Sequence, residues 1–414
     1  MKILHIIPSL SPLRGGPSQA ILEMVQAQRQ QGIDAAIATT NDHGDATFLS
    51  PYGQLVESGS VPELVGPSVP IWVFPRVLSQ VAALREFAVA PTLAPWLWQH
   101  VADYDLVHIH AIFNYPTTLG MAIAKAKGIP YIVRPIGSLC RWSLEQGKAK
   151  KRLYLQTLGR RLLRGSAALH FTTPQEHQEA LAAGFDGASF TLPHGVQLPA
   201  PITTASYQLR QRLSIDNDAP IVLFLSRLHP KKGLEHLIDA VATLGEEKFT
   251  LVIAGSGDAD YEAELAQRIK QAGLGRRVRQ IGFVIGDWKI CLLQGADLFV
   301  LPSYSENLGI ALLEAMAAGL PVVTTPEVAI APLIQQHQTG LVTAAHAPAL
   351  ATAIQHYLHH PATARKHGQQ GRALVATEFS WPTQAARLLE QYTQLTQPSV
   401  EITAKATQAS SALR

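Results

Sequence analysis

Short apolar runs alternate with longer stretches of helical periodicity along most of the chain. Residues 3–7 are apolar almost throughout, as a strand covered on both faces requires. A turn-rich loop runs to Pro17, and from Ser18 a helical stretch puts Ile21, Leu22 and Val25 on one face. Further strands are expected at 35–38, 106–109 and 131–133, each followed by a loop and a helical pattern. The second half repeats this, with strands expected at 221–225, 249–253, 298–300 and 322–324 and the firmest helices at 234–244 and 310–318. Strands separated by helices predict βαβ units and parallel sheets. Between 192 and 218, Pro193, Pro199 and Pro201 interrupt the periodicity and mark a linker.

The expected fold is therefore α/β, with two Rossmann-like doubly wound domains facing across a cleft and ligands at the carboxyl ends of the strands. The expected domains are 1–198 and 199–378, with a tail at 397–414 rich in Ala, Ser and Thr that reads as disordered.

Composition narrows the possibilities. With 414 residues and 47% hydrophobic content the chain has ample apolar mass for two cores, which excludes a disordered or fibrous protein. Its two cysteines, Cys140 and Cys291, exclude a disulfide framework and point to a reducing compartment. No apolar run is long enough for a signal-peptide core or a membrane span, so a cytoplasmic protein is expected.

The net charge of +3 conceals an asymmetry. Residues 141–164 hold eight basic residues and one acid, a local +7, which leaves the remainder near −4. Lys148, Lys150, Lys151 and Arg152 lie in this segment, where Leu155, Leu158 and Leu162 form one helical stripe with Arg160 and Arg164 opposite. A solvated helix face and a surface for anionic lipid or a lipid-diphosphate acceptor both fit the pattern. The second reading places the protein peripherally on the inner face of a membrane. No recognition motif for nucleic acid accompanies the cluster.

The most informative stretch is 303–319, Ser-Tyr-Ser-Glu-Asn-Leu-Gly-Ile-Ala-Leu-Leu-Glu-Ala-Met-Ala-Ala-Gly. A strand runs into a polar loop and then into a helix expected to start near Leu308 or Gly309. First-turn amides lack intrahelical partners and sit at the positive end of the helix dipole, so they suit a phosphate. Glu306 precedes the helix and Glu314 lies inside it, both able to accept hydrogen bonds from ligand hydroxyls. Seven residues separate them, and the run resembles the E-x7-E signature of retaining glycosyltransferases of the GT-B fold, family 4.

That resemblance extends over most of the chain. Arg227 and Lys232, in Ser-Arg-Leu-His-Pro-Lys-Lys-Gly, match the pair that holds the donor diphosphate, where fixed cations stabilise the departing charge. Gly15 and Gly16 resemble the glycine loop that faces the donor. His110 matches a strand-end histidine implied to touch the donor sugar, and His108, on the same side of the strand, reads as structural.

Gly255 opens a loop implied to line the nucleotide, and Phe283 and Val284 occupy the base position. Asn307, Leu308 and Gly309 complete the donor loop, with Glu306 on the sugar and Glu314 on the ribose. Arg134, in Arg-Pro-Ile-Gly-Ser-Leu, resembles a stretch of polysaccharide-assembling members and is grouped with the acceptor or membrane surface. Relatives carry a glycine-containing turn where this chain has Thr325-Pro326-Glu327, so Glu327 receives no role.

The resemblance implies a UDP-, GDP- or ADP-sugar as donor and a glycan or lipid-linked acceptor. It also implies transfer with no cofactor or metal, through front-face displacement without a side-chain nucleophile. By the same resemblance a last helix, about 379–396, crosses back to the first domain. A two-domain dehydrogenase is disfavoured because Gly255-Ser256-Gly257 lacks a third glycine, position 260 being Asp. A sugar-nucleotide-binding protein with little transferase activity is the remaining alternative.

Overall fold

The computed structural model describes residues 1–44, 46–48, 50–77, 81–215, 218–245 and 247–397, without the side chains at 82 and 83. The tail expected to be disordered, beyond Gln397, lies outside the described residues.

Two sheets form two doubly wound domains. The first has eight strands in the spatial order Ser189–Thr191, Ala168–Phe171, Tyr131–Arg134, Leu106–His110, Lys2–Ile6, Asp34–Thr40, Pro70–Phe74 and Leu55–Glu57. All neighbours are parallel except the last edge strand, which is antiparallel to Pro70–Phe74. The second sheet is wholly parallel, in the order Val278–Gly282, Thr250–Ala254, Ile221–Leu225, Leu298–Leu301, Val322–Thr324 and Gly340–Val342.

Chain order reverses between Lys2–Ile6 and Leu106–His110 in the first sheet, and between Ile221–Leu225 and Leu298–Leu301 in the second. These are the two switch points, where connections leave in opposite directions and open a crevice beyond the strand ends. The loops carrying the Gly15, Arg227 and Glu306 motifs all issue from strands flanking them.

Helices pack on both faces. Helix Ile310–Ala318 buries Leu312, Leu313, Ala315, Met316 and Ala317, so it is anchored from within, each leucine contributing about 1.5–3 kcal/mol. It stops at Gly319 in the left-handed region (φ 88°), whose N–H bonds to Ala315 and Met316 carbonyls. Helix Trp381–Thr396 returns to the first domain, where Trp381, Ala385, Leu388 and Tyr392 join the core formed with Ile3, Ile37 and Ile71. Trp381 Nε1 also donates to Glu23 Oε2 of the first helix, Gly16–Gln30, at 2.6 Å.

Two local expectations are corrected. The linker contains a helix, Ala205–Leu213, which buries Ala205 and Leu209; the prolines preceding it obscured its periodicity. In the basic segment, Leu155–Gly159 is a π-turn. The wider turn shifts the helical register, so Leu155 and Leu162 are buried while Leu158 is 41% exposed. Arg160 is only partly exposed: it stacks over the Phe185 ring at 5.0 Å and donates to the Ala183 carbonyl at 3.1 Å. Among the described residues no helix is long and apolar enough to cross a membrane.

Candidate donor site at the paired switch points

Strand Ile221–Leu225 leads through exposed Arg227 to the short turn Pro230–Lys232, and strand Leu298–Leu301 leads to Glu306. Backbone bonds stitch the two loops together, with Tyr304 N donating to Lys231 O at 2.7 Å. A third loop braces Glu306 from behind: Glu306 N donates to Glu327 O at 3.1 Å, and Ala329 N donates to Glu306 O at 3.2 Å. The Glu327 carbonyl thus supports the loop.

Lys232 Nζ forms an ion pair with Glu306 Oε2, and both side chains are largely buried. Burial, with the positive fields of Lys231 and Arg227, pulls the Lys232 ammonium down to about 7. The lysine is therefore poised to respond to a further negative charge. Gly309 takes a positive φ of 78° to turn the chain into the helix beginning at Ile310. Leu308 is buried beneath that turn.

From the other domain, Gly15 (φ 92°) starts the first helix, and a Cβ on Gly16 would lie 3.0 Å from Ile310 Cδ1. The glycine loop therefore approaches the start of helix Ile310–Ala318 as closely as a backbone without a side chain permits. Glu314 bonds Lys289 Nζ at 2.6 Å. Burial works against the Lys289 charge, but Glu314 outweighs it and leaves the ammonium raised. Burial also raises the Glu23 carboxyl, which feels the Glu314 charge across the cleft. Gly255 N bonds to Gly282 O at 2.7 Å, which places the exposed Phe283 and the buried Val284 beside that loop.

His110 lies at its strand end but is fully buried. It belongs to a hydrogen-bonded network whose proton positions follow from the partners. Gln28 Oε1 accepts from His5 Nε2 at 2.8 Å, so His5 Nδ1 must accept, at 2.9 Å, from His110 Nε2. His110 Nδ1 is left as a bare lone pair with no partner among the described residues. A second chain runs from Gln28 Nε2 to the Tyr392 hydroxyl (3.1 Å), on to His108 Nδ1 (2.7 Å), and from His108 Nε2 to His170 Nδ1 (3.2 Å). It ends where His170 Nε2 donates to Leu192 O at 2.8 Å.

His5, His108 and His110 bring ring nitrogens within 4.8 Å of one another, a grouping that their separation in the chain hid. Those nitrogens are already engaged apart from His110 Nδ1, and the buried Arg134 cation stands beside them. The cluster is a proton-ordered network rather than a vacant ligand set.

Arg134 corrects its expected place at an acceptor or membrane surface. It is 1% exposed, and burial pulls its guanidinium down to about 10. A strand-end arginine next to the cleft is covered by its own domain. Lys151 is likewise turned inward, donating to Ser143 O at 2.6 Å and lying over the Phe113 ring. Lys148 pairs with Glu145 at 2.9 Å, and it, Lys150 and Arg152 are exposed. Asn307, grouped with the donor loop, is engaged by the opposite domain.

Sequence reasoning missed a cavity of about 290 Å³ beside the glycine loop, lined by Ser9, Arg14, Asp42, Glu86, Phe113 and Asn114 among others. Arg14 grips Asp42 at 2.7 and 2.9 Å and Glu86 at 2.9 and 3.1 Å, and buried Arg76 also pairs with Asp42. Its walls include Ala111 and Phe113, held at φ 68° and 67°. Such strained backbone often marks a functional rim. Nothing in the local pattern of Arg14 or Asp42 foretold this pairing between distant loops.

Two like domains with their switch points opposed across a cleft define the GT-B architecture. A family model described as "Glycosyl transferase 4-like domain" matches residues 15–193, and one described as "Glycosyl transferases group 1" matches 206–374. The chain belongs to the family-4-type glycosyltransferases of the GT-B fold.

The uncharacterized glycosyltransferase MJ1607 of Methanocaldococcus jannaschii is 40% identical over 134 residues, 32% of this chain and 34% of that protein. The putative teichuronic acid biosynthesis glycosyltransferase TuaC of Bacillus subtilis (strain 168) is 28% identical over 409 residues, 97% of this chain and 100% of that protein. Among solved structures, Anabaena Alr3699/HepE in complex with UDP and glucose superposes with a TM-score of 0.74 at 21% identity, covering 95% of this chain and 100% of that one.

Proposed function

We propose that this glycosyltransferase moves a sugar, with retention, from a nucleoside diphosphate sugar to a hydroxyl of a glycan or lipid-linked acceptor. One observation carries the reading: Arg227, the Lys232–Glu306 pair and the start of helix Ile310–Ala318 converge at one switch point opposite the glycine loop. A diphosphate seated there meets two cations and the helix amides. When phosphate takes Lys232, Glu306 is released to accept hydroxyls of the donor sugar. Glu314, deeper along that helix and paired with Lys289 of helix Gly286–Gly295, is the proposed acceptor for the ribose hydroxyls.

In the transfer, the bond from the anomeric carbon to the β-phosphate oxygen breaks and the acceptor oxygen bonds to that carbon on the same face. The acceptor proton passes to the departing phosphate, so no side-chain nucleophile is needed. The cavity beside Arg14 is the proposed acceptor entrance. The complex of a like-folded protein with UDP and glucose makes uridine donors the first to try, and the full-length likeness to TuaC favours polysaccharide assembly.

The test is thermal shift with UDP, GDP and ADP, followed by nucleotide release from the corresponding sugars with candidate acceptors. One nucleotide at about 100 times its Kd should add roughly 2.7 kcal/mol of stability. If none stabilises the protein and none is released, the proposal fails. Product NMR then reads the anomeric configuration, and inversion would remove the retaining assignment.

The exposed basic face is proposed to rest on an anionic leaflet. The exposed Lys148, Lys150 and Arg152 precede Leu153, 62% exposed, and Leu158, also exposed, in the same segment, and each cation near such a leaflet contributes about 1 kcal/mol. Changing all three cations to Gln should lower partitioning onto phosphatidylserine-containing vesicles more than tenfold. Unchanged co-sedimentation would contradict the surface.

A further inference from the structure

Asn307 lies between two residues of the proposed donor loop, yet its side chain is spent on the other domain. Nδ2 donates to Thr172 Oγ1 at 2.7 Å and to Glu176 Oε2 at 3.2 Å, while Oδ1 accepts from Thr173 Oγ1 at 3.0 Å. Both N–H groups and one lone pair of the amide are therefore used, and it cannot turn toward a ligand without breaking this set.

The receiving socket is built independently of Asn307. Thr173 caps helix Pro174–Ala182 by accepting from Glu176 N at 3.1 Å. The fully buried Glu176 carboxylate accepts from Thr172 N at 2.8 Å, from Thr172 Oγ1 at 2.7 Å and from Gly137 N at 2.5 Å. Gly137, at φ 74°, forms the floor: a Cβ there would lie 3.6 Å from Asn307 Cβ. Every hydroxyl thus has an assigned donor and acceptor role, and the amide orientation is unambiguous.

We infer that Asn307 is a positioning residue that latches the Glu306 loop onto the N-terminal domain and so holds the two halves of the site in register. It directly follows Glu306 and is three residues from Ile310, which the glycine loop touches. Glu306 is tied within its own domain through Glu327, Ala329 and Lys232, so releasing Asn307 leaves the loop intact but no longer set against the N-terminal domain. A misplacement of about 1 Å between the two halves is enough to impair transfer even where donor binding persists. Domains joined by modest interfaces move relative to one another by default, and a part-buried contact that includes the Glu176 carboxylate opposes that motion. The catalytic part of the inference rests on reading the cleft as the donor site.

The experiment uses the full chain with Thr172→Val, Thr172→Ser, Asn307→Ala and the double variant Thr172→Val with Asn307→Ala. Without ligand, the latch predicts that Thr172→Val and Asn307→Ala each speed amide exchange about tenfold at 136–139 and 304–309 and enlarge the scattering radius, whereas Thr172→Ser behaves as wild type. With donor, Thr172→Val and Asn307→Ala should each lower kcat about tenfold while the Kd for UDP, or for whichever nucleotide stabilises the protein, changes less than threefold. The double variant should be no worse than the poorer single. Because Asn307 is only partly buried, its variant remains informative if Thr172→Val folds poorly.

Wild-type exchange and kcat in both single variants, or fully multiplicative losses in the double, would overturn the latch. If wild type transfers nothing from any donor, the transferase reading fails, and the exchange and scattering results still decide the latch.

Discussion

Replacing Lys232 with alanine should lower kcat/KM for the donor by at least 10³-fold, while the fold persists. The size follows from the chemistry of the leaving group. Charge accumulates on the β-phosphate as the anomeric bond breaks, and a buried cation beside it acts in a medium that screens it poorly; removing one such donor typically costs about 10²–10³. Lys232 carries a second task, holding Glu306 in place until phosphate arrives, so its loss also leaves that carboxylate unpaired.

The lysine also sets the sign of the pH dependence. Burial and the neighbouring cations hold it to about 7 in the free protein, and only its charged form neutralises phosphate. Donor kcat/KM should therefore decline as pH rises above 7, toward tenfold per unit, with kcat less affected because bound phosphate restores the proton. Lys232→Arg, whose charge persists at every working pH, should flatten the alkaline limb even if its rate is lower. A wild-type profile flat from pH 7 to 9 would show that Lys232 does not meet the phosphate.

The second large effect concerns stability. Each histidine in the buried network is neutral, with a single proton committed to one direction. Burial holds His5 down to about 4 and lowers His108, His110, His170 and the buried His194, which stands near His110 outside the hydrogen-bonded network, well below the usual 6.5, with the Arg134 cation adding to the effect. In the unfolded chain all five protonate near 6.5, so below that pH the unfolded state binds more protons and stability falls with acidification. At pH 5.5 the cost is on the order of 1 kcal/mol per histidine and several kcal/mol for the five together, comparable with the whole stability of a domain.

Scanning calorimetry should show the first domain losing 10 °C or more between pH 7.5 and 5.5. Tyr392→Phe removes the hydroxyl joining Gln28 to His108, costs about 1–3 kcal/mol at neutral pH and should lower the melting temperature further. A melting temperature independent of pH over that interval would mean that the rings are not buried neutral.

What the chain revealed by itself was whatever depends on local periodicity. Strands Ile221–Leu225 and Val322–Thr324 and helix Ile310–Ala318 agree residue for residue with the apolar pattern, because buried parallel strands and a helix closed by Gly319 leave unambiguous marks. What it concealed depends on tertiary cover. His110 and Arg134 end adjacent strands, where a residue either faces the cleft or is covered, and only the folded structure shows both to be buried.

Lys151 and Leu158 depart from the sequence pattern for a different reason. The π-turn that begins at Leu155 and the inward pull of Ser143 break the simple helical wheel from which exposure follows. Asn307 illustrates the limit most clearly. Its neighbours in sequence suggest a donor loop, while its partners lie 131 to 135 residues away. No one-dimensional pattern records such a contact.

The central claim is that a nucleoside diphosphate is held between Arg227, Lys232 and the first turn of helix Ile310–Ala318. A crystal structure with the nucleotide that gives the largest thermal shift tests it most directly. The account predicts the β-phosphate within hydrogen-bonding distance of Arg227 and Lys232 and of the amides at the helix start, with Lys232 drawn away from Glu306. A nucleotide bound elsewhere, with the Lys232–Glu306 pair intact, would contradict it.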